Sequence, residues 1–486
     1  MKTSVCFVLL FIGLIPLFGQ EFRSVNVVRI NPGDSEPAIL KKAAHVCPTA
    51  RQVSWQELEF TVFIHFGMNT FTNREWGEKG TSPSLFNPTA LDAEQWVATA
   101  KMAGARLVIM VAKHHDGFCL WPSKYTDYTV QHSPWRGGGG DVVAEVAAAC
   151  RKLDMKLGLY LSPWDMNSPL YGTEAYNEHF RNQLTELLTQ YGKVDEVWFD
   201  GACGEGPNGK RQVYDWKSYY TLVRTLQPQA VIAVTGPDVR WVGTESGYGR
   251  DAEWSVVPVP AAALDEMAAT SRQEITKEGL FPPLGDLMME DLGSRQKIAK
   301  AAGLVWYPSE VDVSIRPGWF WHEREDTLVK SPETLTDIWY SSVGRNSVLL
   351  LNLPPDRRGL IHENDVAALK KMRSVLDATF GNNLAASATT LENDTMVQLD
   401  LPQPVTFDRI MLQENFRHGQ RVELFVIETR NGHDWQEILR GTTIGYKRLL
   451  RFNPVSSDKI RLRIISTRDV PEIVHFGLYK APVSKP

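Results

Sequence analysis

Short apolar runs at 60–66, 106–112, 156–161, 194–199, 230–234, 304–307 and 348–353, each followed by a turn, constrain this chain more than any other feature. Most are near-continuous Val, Ile, Leu and Phe rather than an apolar–polar alternation. A strand of that kind is buried on both faces, which is the situation of a parallel sheet covered by helices. Helical stretches at 91–103, 142–153, 174–191 and 213–226, and one within 287–302, fall between the runs. The number of runs approaches eight, so a (β/α)8 TIM-like barrel is favoured over an open doubly wound sheet. No GxGxxG follows the first run, and a dinucleotide fold has no support. Residues 240–285 are irregular, and the sixth strand is left unassigned.

The texture changes after a helix at 365–379 and the turn Gly381-Asn382-Asn383. Short runs at 396–399, 409–412, 421–427, 435–439, 459–464 and 473–478, separated by turn residues, predict an all-β sandwich. The phrase Phe407-Asp408-Arg409-Ile410-Met411-Leu412-Gln413-Glu414-Asn415 resembles the discoidin-like jelly rolls found as carbohydrate-binding modules. Such a module is expected here to brace the barrel. The expected divisions are a signal peptide at 1–20, a catalytic barrel at 21–380 and the sandwich at 381–486.

The signal peptide rests on Lys2 followed by an apolar run at 5–18. A run of about 14 residues is too short to span a bilayer and suits a secretory segment cleaved near Gly19 or Gln20. The mature protein is therefore expected to be exported, periplasmic or extracellular, with no integral membrane span. A net charge of −5 without a dense basic run argues against nucleic acid as a partner. Cys47, Cys119, Cys150 and Cys203 show no CxxC spacing and are expected to be small buried residues rather than a disulfide framework.

Chemistry gathers where the runs end. The first ends Ile64-His65-Phe66-Gly67 and soon reaches Glu75-Trp76; the second ends Lys113-His114-His115-Asp116-Gly117-Phe118. The third ends Tyr160-Leu161-Ser162-Pro163-Trp164-Asp165, and the fourth, Val197-Trp198-Phe199, halts at Asp200 before Gly201. One His or Trp at such a place is ordinarily a satisfied core residue, and one Asp an ordinary helix cap. Four successive ends carrying His, Trp, Tyr and carboxylate are the pattern of a barrel enzyme, whose reactive groups collect at the carboxyl ends of the strands. Adjacent strand residues point to opposite faces, so His114 and His115 do not read as a metal pair. No HExxH or similar spacing supports zinc, and neither metal nor cofactor is expected. The imidazoles read instead as hydrogen-bonding groups for hydroxyls, and the flanking aromatic residues suit a sugar.

The strings HFGMNTFTNREWG, KHHDGFCLWPS, YLSPWD and VWFDGA, in matching order across roughly 50–360, resemble the retaining α-L-fucosidases of glycoside hydrolase family 29. Val239-Arg240-Trp241-Val242-Gly243-Thr244-Glu245, Arg250, Ala252-Glu253-Trp254-Ser255 and Trp306-Tyr307-Pro308-Ser309-Glu310-Val311-Asp312 are similar to the subgroup acting on Lewis-type α-1,3/1,4-fucosyl linkages. So are Ser314 and Arg316-Pro317-Gly318-Trp319-Phe320. The resemblance implies Asp200 as nucleophile and Glu245 as general acid/base, with fucosylated glycans as substrate. It implies a fucose pocket lined by His65, Glu75, Trp76, His114, His115, Tyr160 and Trp198. Trp319 and Trp321 are candidates for an apolar wall against the C5 methyl. Glu253 and Glu310 remain rivals to Glu245. Two other readings stay open, a non-hydrolytic fucose-binding protein and a retaining hydrolase of another sugar.

Overall fold

The computed structural model describes residues 25–260 and 289–482. The proposed signal segment and much of the irregular stretch after 260 lie outside them.

Eight parallel strands close into a barrel, each beside the next in sequence and the last paired with the first. They are β2 (Phe60–Ile64), β3 (Leu107–Lys113), β4 (Lys156–Leu161), β5 (Glu196–Phe199), β6 (Val231–Val234), β7 (Val239–Trp241), β10 (Ser309–Ser314) and β11 (Val348–Asn352). Helices Ala93–Ala103, Val142–Lys152, Glu174–Gln190, Trp216–Leu226 and Pro332–Ser341 supply crossovers, and Glu363–Phe380 follows the last strand. Several begin on a side-chain cap: Asp92 and Asp141 accept the N–H groups of Gln95 and Ala144 at 3.0 and 2.8 Å. Such a bond satisfies a donor that the first helical turn leaves open.

Side-chain alternation divides the core in two. Val62, Val108, Met110, Leu157, Leu159, Val197 and Ile232 face the helices. Phe63, Leu107, Ile109, Val111, Tyr160, Trp198, Val231, Ala233, Val348 and Leu350 fill the barrel interior. Continuing the inward set by one more position at the carboxyl ends gives His65, Ser162, Asp200 and Asn352. The site is thus the top of the barrel's own interior row.

Three expected elements differ. The run at 304–307 is not a barrel strand: β9 (Gly303–Trp306) joins β1 (Val27–Arg29) and β8 (Val256–Val259) in a small antiparallel sheet beside the barrel. The seventh barrel strand is β10, whose inward positions hold Glu310 and Asp312, so its apolar signal is halved. The sixth is the three-residue β7, reached from β6 without a helix. The helix expected within 287–302 is there as a single turn, Arg295–Ile298.

After Glu363–Phe380 comes an antiparallel sheet of β12 (Thr389–Asn393), β13 (Met396–Glu414), β16 (Arg448–Thr467), β14 (Val422–Asn431) and β15 (Asp434–Gly441), with β17 (Ile473–Tyr479) against β13. It encloses its own core around Phe407, Ile410, Phe425, Ile460 and Leu478. It also grips the barrel. The Gln420 amide accepts from Ser255 N–H at 2.7 Å and donates to the Glu253 carbonyl at 3.0 Å, and the Arg468 guanidinium lies 3.5 Å over Trp254. Cys47, Cys119, Cys150 and Cys203 are free thiols, the first three buried. Among the described residues no helix is long and apolar enough to cross a membrane.

Candidate active site

At the carboxyl end of the barrel a cleft of about 180 Å³ is lined by Phe63, His65, Glu75, Trp76, His114, His115, Tyr160, Trp164, Trp198, Asp200, Ala202, Glu245, Asp312 and Trp319. Asp200 follows β5 directly. The Tyr160 hydroxyl donates to its Oδ2 at 3.0 Å and the Ala202 N–H donates to its Oδ1 at 2.8 Å. Both carboxylate oxygens are held, and the group is one-quarter exposed to the cleft. Trp198, two residues earlier, stacks on Tyr160 with ring centroids 5.3 Å apart and forms the floor.

Two imidazoles have tautomers set by their neighbours. The Asn352 amide donates to Ser314 Oγ at 2.9 Å and to the Trp319 carbonyl at 2.7 Å, which turns its Oδ1 toward His65 Nδ1 at 2.8 Å. His65 therefore carries its proton on Nδ1 and presents Nε2 as an acceptor. Ser162 Oγ–H donates to the Trp164 carbonyl at 2.7 Å, so the 2.7 Å contact with His115 is donated by His115 Nδ1. His115 Nε2 then faces Asp200 Oδ2 at 3.7 Å. Burial pushes the pKa of His65 down to about 3 and lowers that of His115, keeping both rings neutral near pH 7.

His114 and His115 do not point to opposite faces. Their rings lie 4.2 Å apart and both border the cleft. The strand ends at Lys113, and a register shift between Val111 and Lys113 turns Lys113 outward. Buried there, Lys113 donates to Asp165 and Gln183, each at 3.0 Å. Such a bulge re-aims side chains next to a site. Gly117 completes the turn at φ 85°, where a Cβ would stand 2.5 Å from Asp165 Oδ1.

The opposite rim is built on Trp319. Its N–H donates to Glu75 Oε2 at 2.8 Å, and its indole donates to Glu245 Oε2 at 3.1 Å. His322 Nε2 meets Glu75 Oε1 at 2.5 Å. Glu75 thus anchors the Trp319 loop, which in turn orients the exposed Glu245. Among the described residues no cluster of three or more His, Cys, Asp or Glu is placed to hold a metal ion.

The profile of the α-L-fucosidase family matches residues 41–379. Alpha-L-fucosidase 1 of Arabidopsis thaliana is 41% identical over 96% of this chain and 94% of its own. A glycoside hydrolase 29 structure from a rumen bacterium is 40% identical, with a TM-score of 0.78 over 90% of this chain and 78% of that one. A Ruminococcus gnavus GH29 fucosidase solved in complex with fucose is 29% identical, with a TM-score of 0.76 over 95% of this chain and 98% of that one. This chain belongs to the α-L-fucosidase family.

In this fucosidase the two rivals of Glu245 lie outside the cleft. Glu253 is buried between Arg240 and Arg250, its Oε2 3.2 Å from Arg250 Nη1. Glu310 sits beneath the floor, where its Oε2 accepts the Trp198 indole N–H at 2.8 Å and its carboxyl hydrogen-bonds Glu196. Trp321 also falls away from the expected position. Its indole donates to Asp326 Oδ1 at 3.0 Å, within the network that pairs Arg316 with Asp326 and Asp365, and it does not line the cleft. The other predicted residues of the fucosidase site, from His65 to Trp319, do line it. Four were missed as site residues: Phe63, Trp164, Ala202 and Asp312. Trp164 lay within the quoted YLSPWD, and its ring packs 4.9 Å from His115. Asp312 is concealed in the sequence because β10, Ser309–Ser314, has no continuous apolar run, and only a strand period points residue 312 inward.

Proposed function

We propose that this fucosidase is an exported, retaining exo-hydrolase that releases α-1,3/1,4-linked L-fucose from branched Lewis-type glycans, with Asp200 as nucleophile and Glu245 as acid/base. The observation that carries the reading is the cleft itself. It sets Asp200, fixed by Tyr160 and Ala202, in the same small space as Glu245, fixed by Trp319. Retaining glycosidases need two such carboxyl groups, one ionised and one protonated.

In the first step an Asp200 oxygen bonds to the anomeric carbon as the glycosidic C–O bond breaks, and Glu245 gives its proton to the departing oxygen. In the second, Glu245 takes a proton from water, whose oxygen displaces Asp200 from the sugar. The neutral His65 and His115 present Nε2 acceptors to fucose hydroxyls. A site that hydrogen-bonds specific hydroxyls rejects analogues that misplace them far more strongly than an apolar pocket does.

The linkage preference and export rest on sequence resemblance and on the segment at 5–18. Release rates from Lewis a or Lewis x trisaccharide and from 2′-fucosyllactose at equal concentration test the first. Faster release from the Lewis trisaccharide is expected; faster release from 2′-fucosyllactose overturns the linkage assignment.

A further inference from the structure

Asp312 is an acid of the cleft that this mechanism leaves unused. It lies inward on β10, is 4% exposed, and accepts the Trp241 indole N–H on Oδ1 at 2.8 Å. Its titratable neighbours are Glu245 at the rim and Glu310 below. Burial, reinforced by those two acids, pushes its pKa well above the ordinary carboxyl range. The group therefore keeps its proton, and with Oδ1 engaged by Trp241 the O–H falls on Oδ2.

The donors of the cleft show what that proton is for. A fucosyl ring offers three hydroxyls, each able to donate once and to accept. His65 and His115 supply acceptors. Most of the evident donors are already committed: Tyr160 O–H to Asp200, Trp164 N–H to the Glu205 carbonyl, Trp198 N–H to Glu310, Trp241 N–H to Asp312 and Trp319 N–H to Glu245. Trp76, at 64% exposed, belongs to the outer rim. Deep in the cleft, Asp312 and His114 remain to donate to a sugar whose own protons go to the imidazoles.

We propose that Asp312 contacts substrate, its Oδ2 carboxyl oxygen hydrogen-bonding one hydroxyl of the fucosyl ring beside Glu245. The proposal rests on the reading of this cleft as the fucose site. A protonated Asp312 also leaves Asp200 as the ionised carboxylate of the cleft when Glu245 carries its proton.

The test is the affinity of wild type, Asp312→Asn and Asp312→Ala for L-fucose and for its 2-, 3- and 4-deoxy analogues, by calorimetry, with thermal melts as a folding check. Losing one buried hydrogen bond of this kind is worth roughly 10-fold or more in affinity. Asp312→Ala should weaken fucose by about that factor. Asp312→Asn keeps an N–H donor and an acceptor for Trp241, and should stay within about 3-fold of wild type. For one deoxy sugar, wild type and Asp312→Ala should bind equally, because the hydroxyl that Asp312 holds is absent. A purely structural role leaves the same deficit with every deoxy sugar, and that result overturns the inference. So does undiminished fucose binding by folded Asp312→Ala. Failure of wild type itself to bind fucose would instead overturn the placement of the fucose site.

Discussion

Asn352 illustrates how much one buried amide decides. Its two donors are held by Ser314 and the Trp319 carbonyl, so its oxygen can only meet His65, and the acceptor face of His65 is thereby turned to the cleft. Asn352→Ala should leave His65 buried without its partner and free to adopt the other tautomer. A loss of roughly 10- to 100-fold in kcat/KM is expected, from one to three kcal/mol of lost orientation. Steady-state kinetics on a fucoside checks it, and unchanged kinetics would show that the tautomer is set elsewhere. Glu245 and Glu253 should separate cleanly. Glu245→Ala should cripple cleavage of an oligosaccharide far more than of an activated aryl fucoside, because a poor leaving group depends most on the acid. Glu253→Ala should give no such dependence. It leaves Arg240 and Arg250 buried without their shared carboxylate, and should cost about 3–5 kcal/mol of stability in denaturant melts. A leaving-group-dependent loss for Glu253→Ala and none for Glu245→Ala would reverse the assignment.

At the scale of elements, β2 to β6 and β11 were legible because each carries an apolar run long enough to show burial on both faces. β7 and β10 were not, for physical reasons. β7 has three residues and no preceding helix. β10 places Glu310 and Asp312 inside the barrel, where side-chain alternation rather than hydropathy marks them as buried. The mirror error was β9, whose apolar run is buried against β1 and β8 rather than in the barrel. In the site, the strand-end residues His65, Tyr160, Trp198 and Asp200 could be read from pattern. The pairing of His114 with His115 could not, since it depends on the bulge before Lys113. That bulge rests on a buried ion pair. Asp165→Ala should leave Lys113 buried and charged without its counter-ion and destabilise the fold by about 3–5 kcal/mol, read from chemical denaturation. A change below about 1 kcal/mol would mean that the pair is not what holds the turn.

For the molecule as a whole, the barrel interior stores protons. Burial pushes Glu196 up to about 8 and its partner Glu310 well above the ordinary carboxyl range. Trp55 and Trp198 each donate an indole N–H to one of them, at 3.0 and 2.8 Å. A carboxyl whose folded-state pKa is raised contributes stability that is complete below its unfolded value and is lost as pH rises through the folded one. Wild-type melting temperature should therefore gain a downward slope from about pH 5 toward pH 8, and Glu196→Gln should reduce that slope. Melts of both proteins at the two pH values check it; parallel curves would show that the pair is not titrating. The β module is held to the barrel by Gln420, Arg468 and the Glu59–Lys447 pair.

The proposed retaining mechanism through Asp200 is the central claim, and one measurement addresses it directly: turnover by Asp200→Ala on an activated fucoside, with and without azide, and the anomeric configuration of the product. Activity should fall by roughly 10³-fold or more while the protein stays folded, and azide should restore part of it as β-L-fucosyl azide. Near-wild-type turnover without azide would contradict Asp200 as the nucleophile.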